Sequence, residues 1–329
     1  MMKVGLVGVG GISYVHILGY DAIPNAKIVA AADIRGEEAA NYRLIKERGI
    51  PLYRTMEEML AAEDIDMVDI CTPTYTHAEL AIRAMELGKH VLSEKPMART
   101  SAECEQILAA VKATKKRYMT AHVVRFMKPY AYLRQVIEDG ELGKPLHIMM
   151  HRLSATPTWS FENWMATPSK SGGAPLDLSI HDIDFAQSVF GVPKDLNATY
   201  RAMPEGDGMK CDHISTTFLY DGVSVDITGS FYPCKSFAFC VDYTAVFEKG
   251  YVQSKNGVVT KDGQAVDIAT AARKETGINI STDSAYAEEI AYFIDAIENG
   301  TATERVLPES GYETIKLIER IVSEAKKIK

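Results

Sequence analysis

Short apolar runs alternate with amphipathic segments along the first 123 residues, and this alternation constrains the fold more than any other feature of the chain. The apolar runs predict strands at 3–7, 27–32, 67–71, 90–94 and 118–123. The segments between them predict helices at 14–20, 36–48, 56–61, 76–87 and 101–115. Apolar strands joined by helices form a parallel sheet that is covered by helices on both faces. We therefore expect residues 1–123 to form a doubly wound α/β domain.

A glycine turn separates the first strand from the first helix. Gly8 allows a tight turn, and Gly10 lets a ligand approach the backbone closely. The amides of Gly11, Ile12 and Ser13 open the helix and can bind anionic oxygens. Such a turn, placed between a strand and a helix, predicts a site for the pyrophosphate of a dinucleotide.

The second strand ends in Asp33, about twenty residues after the glycines. An acidic residue at this place accepts a hydrogen bond from a ribose 2′-hydroxyl and repels a 2′-phosphate. Asp33 and its neighbour Ile34 therefore predict an adenosine site that prefers NAD to NADP. Arg35 leaves an alternative open, because a guanidinium can bind a 2′-phosphate or stack on adenine, or can simply open the next helix.

Polar residues also follow the two central strands. Thr72, Pro73 and Thr74 end one of them, and Glu94-Lys95-Pro96 ends the next. Because ligands bind at the carboxyl ends of parallel strands, we expect one cleft along this edge. A partly desolvated lysine can polarise a hydroxyl and help to move its proton, so Lys95 is a catalytic candidate; the alternative is an ordinary surface lysine.

A second candidate for acid–base chemistry lies far along the chain. Asp177 and His181 are four residues apart, which on a helix places them on the same face. A histidine titrates near neutrality and can accept a proton from an alcohol, while a nearby carboxylate fixes its tautomer. The pair therefore predicts a proton relay, although a purely structural pair remains an alternative.

Beyond residue 123 the pattern changes. A helix is expected at 129–139, and runs of strand-forming residues follow it, several of them separated by hairpin turns. These runs lie at 147–153, 197–201, 213–220, 223–231, 239–248 and 251–254, and two further helices are expected at 285–299 and 309–327. We predict a second domain, 124–329, of the α+β class with an open, mostly antiparallel sheet.

Charge and composition exclude several classes of partner. The net charge of −8 argues against a nucleic acid or an anionic membrane as the main partner. No secretory signal is recognisable at the start, and no apolar run approaches the roughly 20 residues needed to span a bilayer. We expect a cytoplasmic protein. The five cysteines lack the spacing of a disulfide framework or a metal site, so no metal is predicted.

Taken together, these motifs resemble the glucose-fructose oxidoreductase, inositol dehydrogenase and rhizopine-catabolism (Gfo/Idh/MocA) family over essentially the whole chain. The most specific stretch is 88–96, which ends in Glu-Lys-Pro. The resemblance implies a Rossmann domain followed by a domain whose open sheet makes a homodimer or homotetramer. It also implies that Lys95, Asp177 and His181 form the catalytic group of the inositol-dehydrogenase-like branch. The residues that would then lie along the nicotinamide cofactor are Thr72, Pro73, Thr74, His77, Glu94 and Lys95 itself.

The implied activity is hydride transfer between NAD, or NADP, and a sugar, inositol or related polyol. Lys95 would hold the substrate hydroxyl, His181 would take its proton and Asp177 would orient the pair. By analogy with relatives, the substrate would also contact Arg125, Arg152, Asn163 and Tyr286.

Trp164 is followed by Met165 instead of the arginine that some NADP-using relatives have there. This tryptophan would border the nicotinamide pocket, pack at the domain interface or pack in the core.

Two other functions stay open at this point. The first is a regulator that binds NAD and responds to a sugar without catalysis, and the presence of Lys95, Asp177 and His181 together argues against it. The second is a redox-neutral glycosidase that uses NAD transiently on the same fold.

Overall fold

The computed structural model describes residues 1–205, 208–255, 257–268 and 284–328. The chain forms two compact units. The first contains residues 1–126 and, among the described residues, 284–312; the second contains 127–268 and 313–328. These limits differ from the predicted domains, 1–123 and 124–329, because 284–312 pack with the first unit. The predicted domain division itself stays a prediction.

The sheet of the first unit has six parallel strands in the order β3-β2-β1-β4-β5-β6. The strand order reverses between β1 and β4, which is the position where doubly wound sheets open a ligand crevice. The predicted doubly wound parallel sheet is therefore confirmed. The strands are β1 Met2–Val7, β2 Ala26–Ala32, β3 Leu52–Tyr53, β4 Met67–Ile70, β5 His90–Glu94 and β6 Tyr118–Ala121.

Five helices connect these strands: α1 Ser13–Asp21, α2 Tyr42–Glu47, α3 Met56–Ala62, α4 His77–Glu86 and α5 Ser101–Thr114. Two of them begin with capping boxes, Thr55 with Glu58 and Thr100 with Glu103. The helix predicted at 36–48 is shorter than expected. Gly36 has a φ of +58° and starts only a 3₁₀ turn, and the chain is extended at Ala39 before α2 begins.

The sheet of the second unit has nine strands in the order β14-β13-β12-β11-β7-β10-β9-β8-β15. Its neighbours are antiparallel except for β7 with β10 and β8 with β15, so the predicted open, mostly antiparallel sheet is confirmed. The strands are β7 Pro145–Ala155, β8 Asp195–Glu205, β9 Gly208–Leu219, β10 Ser224–Tyr232, β11 Cys240–Phe247, β12 Gly250–Lys255, β13 Val258–Lys261, β14 Gln264–Ala265 and β15 Lys326–Lys327.

One face of this sheet is buried and the other is partly exposed. Along β7, Ile148, Met150 and Arg152 are buried, while His147 and His151 are partly exposed. This alternation is the signature of a sheet with one face in the core. The helices of this part of the chain are α6 Lys128–Asp139, α7 Pro168–Ser171 and α8 Ile180–Phe190, with a π-helical turn at Pro175–Ser179 directly before α8.

The chain continues with α9 Ala285–Asn299 and α10 Pro308–Glu324. Helix α9 belongs to the core of the first unit, where Ile290, Phe293 and Ile294 are fully buried with Val4 and Leu6 of β1. Burial of each such side chain contributes roughly 1.5–3 kcal/mol. Among the described residues, no helix has the length and apolarity needed to cross a membrane.

Candidate active site

The glycine turn after β1 has the geometry of a dinucleotide-binding turn. Gly8 has a φ of +92°, and a Cβ at this position would lie 2.7 Å from the carbonyl oxygen of Cys71. Only glycine fits there. The loop is fixed by Asn41, whose side-chain amide donates to the Gly10 carbonyl, and by Ser13 Oγ, which donates to the same oxygen at 2.7 Å. The role of Asn41 in holding the glycine turn was not predicted from the sequence.

Helix α1 begins directly after this turn with features that suit an anion. Its N-cap residue, Ile12, makes no side-chain capping bond, and its first turn contains no acidic residue. Gly11 and Ile12 are exposed, so their backbone can be reached. A cofactor pyrophosphate therefore fits this helix start, both sterically and electrostatically.

Asp33 ties the end of β2 to the glycine turn. One carboxylate oxygen accepts from Val9 N at 2.8 Å, and the other accepts from Arg35 N at 2.8 Å. Arg35 also forms a two-pronged ion pair with the carboxylate, at 3.0 and 2.8 Å. Burial alone would raise the pKa of Asp33, but the hydrogen bonds from Arg35 and Val9 hold it below its usual range. Arg35 is thus engaged by Asp33, while Ile34 between them is exposed.

His77 joins the ends of β4 and β5. It is buried, and its ring nitrogens lie 2.7 Å from the Pro96 carbonyl and 2.9 Å from the Thr72 carbonyl. Burial lowers the pKa of His77. The contact places the segment Thr72 to Thr74 beside the Glu94-Lys95-Pro96 segment, as the sequence predicted for one edge of the sheet.

A buried ionic cluster lies directly behind Lys95. His16 of α1 bridges two carboxylates, Asp69 Oδ2 at 2.8 Å and Glu94 Oε1 at 3.1 Å. The second oxygen of Glu94 accepts from the backbone N–H of Lys95 at 3.0 Å. Tyr20 donates to Asp69 at 2.9 Å. The cluster therefore fixes the backbone at the strand end from which the Lys95 side chain projects.

The ionisable side chains of this cluster shift one another's pKa values. Although burial opposes it, the attraction of Asp69 raises the pKa of His16 well above its usual range, which favours the imidazolium form that can donate to both carboxylates. Burial raises the pKa of Glu94, but the His16 hydrogen bond and charge outweigh it and leave the pKa lowered. Glu289 of α9 is also fully buried, and among the described residues neither of its oxygens has a hydrogen-bond partner. Burial and the nearby Glu94 raise the pKa of Glu289 well above its usual range, which favours its neutral form.

Sequence reasoning missed His16, Asp69 and Glu289. The feature of the sequence that could have indicated Asp69 and His16 is a polar residue within an apolar segment. Asp69 interrupts a hydrophobic strand, and His16 lies one turn into an apolar helix. Neither feature indicates which residues will be in contact, because the partners of His16 lie 53 and 78 residues away in the sequence.

In the second unit, Asp177 and His181 occupy the junction between the π-helical turn and α8. The regular α-helix predicted around them is therefore present only from Ile180 onward. From 177 to 186, these two are the partly exposed residues and the others are buried. A Cβ on Gly229 of β10 would collide with Ser179, so the turn packs tightly on the sheet. Asp177 and His181 both stay partly exposed in the second unit.

Arg152 has a structural partner that the sequence did not indicate. Its guanidinium donates to Asp182 at 3.1 and 3.3 Å, and both side chains are nearly or fully buried. Tyr130 also donates to Asp182, at 2.7 Å. Asp182 is the buried centre of this group. The substrate contact predicted for Arg152 stays a prediction, and a buried ion pair is what the structure shows for this side chain.

The other predicted contact residues lie in different settings. Arg125 is buried, and its guanidinium donates to the Arg305 carbonyl at 2.6 Å. Tyr286 lies at the start of α9 with its ring centroid 5.9 Å from that of His16. Asn163 is exposed with a φ of +54°. Trp164 packs against a small core that includes Met165 and Phe231.

Comparison with known proteins identifies the family. The model of the Gfo/Idh/MocA oxidoreductase family with its NAD-binding Rossmann fold matches residues 2–122, and the model of the Gfo/Idh/MocA C-terminal domain matches residues 130–252. The chain belongs to the Gfo/Idh/MocA oxidoreductase family. The resemblance inferred from the glycine turn and the Glu-Lys-Pro segment is confirmed.

Two curated relatives illustrate the relationship. Inositol 2-dehydrogenase of Rhizobium meliloti is 30% identical over 314 residues, which cover 91% of this chain and 89% of that protein. Myo-inositol 2-dehydrogenase of Thermotoga maritima is 30% identical over 194 residues, or 58% of this chain. The matched stretch spans 55% of the Thermotoga protein, about half of its length.

A solved structure supports the architecture. Levoglucosan dehydrogenase, in complex with NADH and levoglucosan, superposes with a TM-score of 0.83 at 22% identity, covering 98% of this chain and 97% of that one. At this identity the likeness establishes the shared fold.

Proposed function

We propose that this Gfo/Idh/MocA member is an NAD-dependent dehydrogenase that oxidises a CH–OH group of a sugar, an inositol or a related polyol. One observation carries the proposal: the glycine turn, Asp33, His77 and the strand end with Lys95 all lie at the carboxyl edge of one parallel sheet. The names of its relatives, inositol 2-dehydrogenase and levoglucosan dehydrogenase, support this substrate class.

The first unit contains the residues that would hold the cofactor. Gly8, Gly10, Gly11, Ile12 and Ser13 would bind the pyrophosphate at the start of α1, where no acidic residue competes. When bound, the nicotinamide accepts the hydride. The adenosine would lie at the end of β2, beside Asp33, Ile34 and Arg35, and the nicotinamide half along Thr72, Pro73, Thr74, His77 and Glu94.

The hydrogen bonds of Asp33 explain why it would favour NAD over NADP. The Asp33 carboxylate already accepts four hydrogen bonds, three of them from Arg35. A ribose 2′-hydroxyl can bind Asp33 by replacing one donor of the Arg35 side chain. A 2′-phosphate would instead place two negative charges beside a carboxylate whose lowered pKa keeps it ionised.

Three side chains would carry the proton chemistry. Lys95 would donate a hydrogen bond to the substrate hydroxyl and stabilise the negative charge that develops on its oxygen. His181 would accept the hydroxyl proton at a ring nitrogen, and Asp177 would orient the imidazole and stabilise its charged form. The cluster of His16, Asp69 and Glu94 would keep the Lys95 backbone in place during this step.

Substrate recognition is assigned in part. Asn163 and Tyr286 have settings compatible with a contact to a hydroxylated substrate, because one is exposed and the other partly exposed. Arg125 and Arg152 would act mainly by holding the surrounding structure, through Arg305 and Asp182. Trp164 would border the nicotinamide pocket from its small core cluster.

We further propose that the protein is cytoplasmic and forms a homodimer or homotetramer through its open sheet.

A spectrophotometric screen tests the proposal. The chain is incubated with NAD or NADP and a panel of inositols, sugars and sugar-derived polyols, and NADH is followed by its absorbance. We expect net NADH formation with at least one member and a preference for NAD. Lys95→Met should lose most turnover and still bind NAD, whereas Lys112→Met, an exposed lysine on α5, should behave as wild type.

The same screen separates the alternative functions. A redox-neutral glycosidase would bind NAD and release a sugar from a glycoside without any net change in absorbance. A regulator would bind NAD and a sugar and convert neither. Turnover that is unchanged in Lys95→Met would overturn the assigned role of the lysine.

A further inference from the structure

Three side chains of types that can ligate a metal lie together on the partly exposed face of the nine-stranded sheet, in the second unit. His151 of β7 pairs directly with Asp242 of β11 across the antiparallel ladder. Cys240 is two residues before Asp242, so it projects to the same face of β11. All three residues are partly exposed. The sheet itself thus brings an imidazole, a thiol and a carboxylate together on two neighbouring strands.

Two of the three distances between ligand atoms match those of a tetrahedral metal site. His151 Nε2 lies 3.5 Å from Asp242 Oδ2, and Cys240 Sγ lies 3.4 Å from the same oxygen. One ligand atom from each residue lies within 4.8 Å of the others. Zinc ligands with Zn–S near 2.3 Å and Zn–N or Zn–O near 2.0–2.1 Å are separated by about 3.3–3.6 Å in a tetrahedron. Only small side-chain adjustments are needed to centre an ion.

The donor set selects the kind of ion. Thiolate and imidazole prefer zinc, cobalt or copper to magnesium and calcium, which require oxygen ligands. Three protein ligands leave a fourth position for water or another donor. In the single chain the side chain of His151 is 40% exposed and that of Asp242 is 14% exposed, so an ion can reach the cluster before copies of the chain associate through this sheet.

We propose that His151, Cys240 and Asp242 form a binding site for a divalent transition-metal ion of the zinc type. The ion replaces the thiol proton of Cys240: the S–H bond breaks, the proton goes to solvent, and a bond forms between sulfur and the metal. No electron transfer is involved. The site is built from residues that take no part in the proposed dehydrogenase reaction.

A metal ion and a proton compete for the sulfur atom of Cys240, and the surroundings of Cys240 affect this competition. Burial and the hydrogen bond to Asp242 raise the pKa of the Cys240 thiol, while Lys255 of β12 opposes this increase. The charged or titratable groups around the sulfur are thus Asp242 on its own strand, Lys255 on β12 and His151 on β7. Metal affinity should rise with pH, because binding releases a proton.

A neighbouring pair on the same face provides a matched control. His147 Nε2 lies 3.4 Å from Asp226 Oδ2, and His147 Nδ1 lies 2.8 Å from Ser224 Oγ. This pair also joins a histidine of β7 to an aspartate of a neighbouring strand, here diagonally across the parallel β7–β10 ladder, without a cysteine among these contacts. It reports what a histidine and a carboxylate on this sheet bind by themselves.

Cobalt titration of the full, tag-free chain tests the site. After treatment with a chelator, Co²⁺ is added and the absorption spectrum is followed. We expect one ion per chain, a thiolate-to-cobalt charge-transfer band in the near ultraviolet, and loss of that band when Zn²⁺ is added. Cys240→Ser should abolish the band, and His151→Gln and Asp242→Asn should each weaken binding roughly tenfold or more.

Two controls keep the result specific. His147→Gln and Cys234→Ser, which changes an exposed cysteine elsewhere, should leave the titration unchanged. Thermal unfolding provides a second readout, since Zn²⁺ should raise the Tm of the wild type but not that of Cys240→Ser. The proposal is overturned if the wild type shows no charge-transfer band, if the band persists in Cys240→Ser, or if His147→Gln weakens binding as much as His151→Gln does.

Discussion

Replacement of His16 by glutamine tests the ionic cluster behind Lys95. The His16 side chain is fully buried between Asp69, at 2.8 Å, and Glu94, at 3.1 Å, whose side chains are 0% and 7% exposed. Removing one partner of a buried ion pair costs about 3–5 kcal/mol, because the remaining charges are left without compensation. We expect His16→Gln to lower the free energy of unfolding by that amount near pH 6.5.

The loss of stability in His16→Gln should depend on pH in a defined direction. The raised pKa of His16 means that its stabilising contribution is complete below about pH 6.5 and declines as pH rises toward the folded pKa. In His16→Gln, Glu94 loses the hydrogen bond and the charge that lower its pKa, so the pKa of Glu94 rises and this carboxylate takes up a proton on acidification. The variant therefore recovers stability as pH falls. Between pH 5 and 6.5 the gap to wild type should widen with pH, by up to about 1.4 kcal/mol per unit for each proton.

Urea unfolding at pH 5, 5.5, 6 and 6.5 measures the gap. Tyr118→Phe is the control, since Tyr118 is fully buried in the same unit and its hydroxyl accepts a hydrogen bond from Thr120 Oγ1 at 3.3 Å. Burial raises the pKa of Tyr118, so this hydroxyl keeps its proton over the whole pH range of the experiment. It should cost about 1 kcal/mol, with no comparable widening of the gap. A loss below 1 kcal/mol in His16→Gln, or a gap that stays constant with pH, would refute the account of the cluster.

Three further substitutions test other parts of the site. Asp33→Ser removes the carboxylate that excludes a 2′-phosphate, so the ratio of kcat/KM for NAD to that for NADP should fall about tenfold or more; an unchanged ratio counts against the assignment. Gly8→Ala places a Cβ 2.7 Å from the Cys71 carbonyl at a φ of +92° and should destabilise by more than about 1 kcal/mol and weaken NAD binding. Gly49→Ala, at a φ of +64° with no atom within 4 Å, should keep normal NAD binding; equal binding by both variants would contradict the steric argument. Arg152→Met leaves Asp182 buried without its cation and should lower the free energy of unfolding by about 3–5 kcal/mol, whereas a higher KM at unchanged stability would assign Arg152 to the substrate.

Local patterns were sufficient for much of the fold. The alternation of strands and helices, the glycine turn and Asp33 are visible in sequence because each depends on neighbouring residues or on a fixed spacing. Boundaries were less accurate where one residue changed the backbone. Gly36, with its φ of +58°, ends the predicted 36–48 helix early, and the π-helical turn before α8 displaces the expected start of a regular helix.

Tertiary partners could not be read from the sequence. Arg152 was predicted to bind substrate, yet its ion pair with Asp182 depends on how β7 packs against α8. His16 meets Asp69 and Glu94 only because the parallel sheet brings three distant segments together. Cys240 and His151 become neighbours through strand register, which linear spacing does not encode.

Transfer of a labelled hydride tests the central claim most directly. A polyol that supports turnover is prepared with deuterium on the carbon that bears the reacting hydroxyl, and the nicotinamide product is examined by mass spectrometry after incubation with NAD. The account predicts one deuterium in the NADH that accumulates, and loss of this transfer in Lys95→Met. Substrate conversion without any deuterium in the cofactor pool would contradict it.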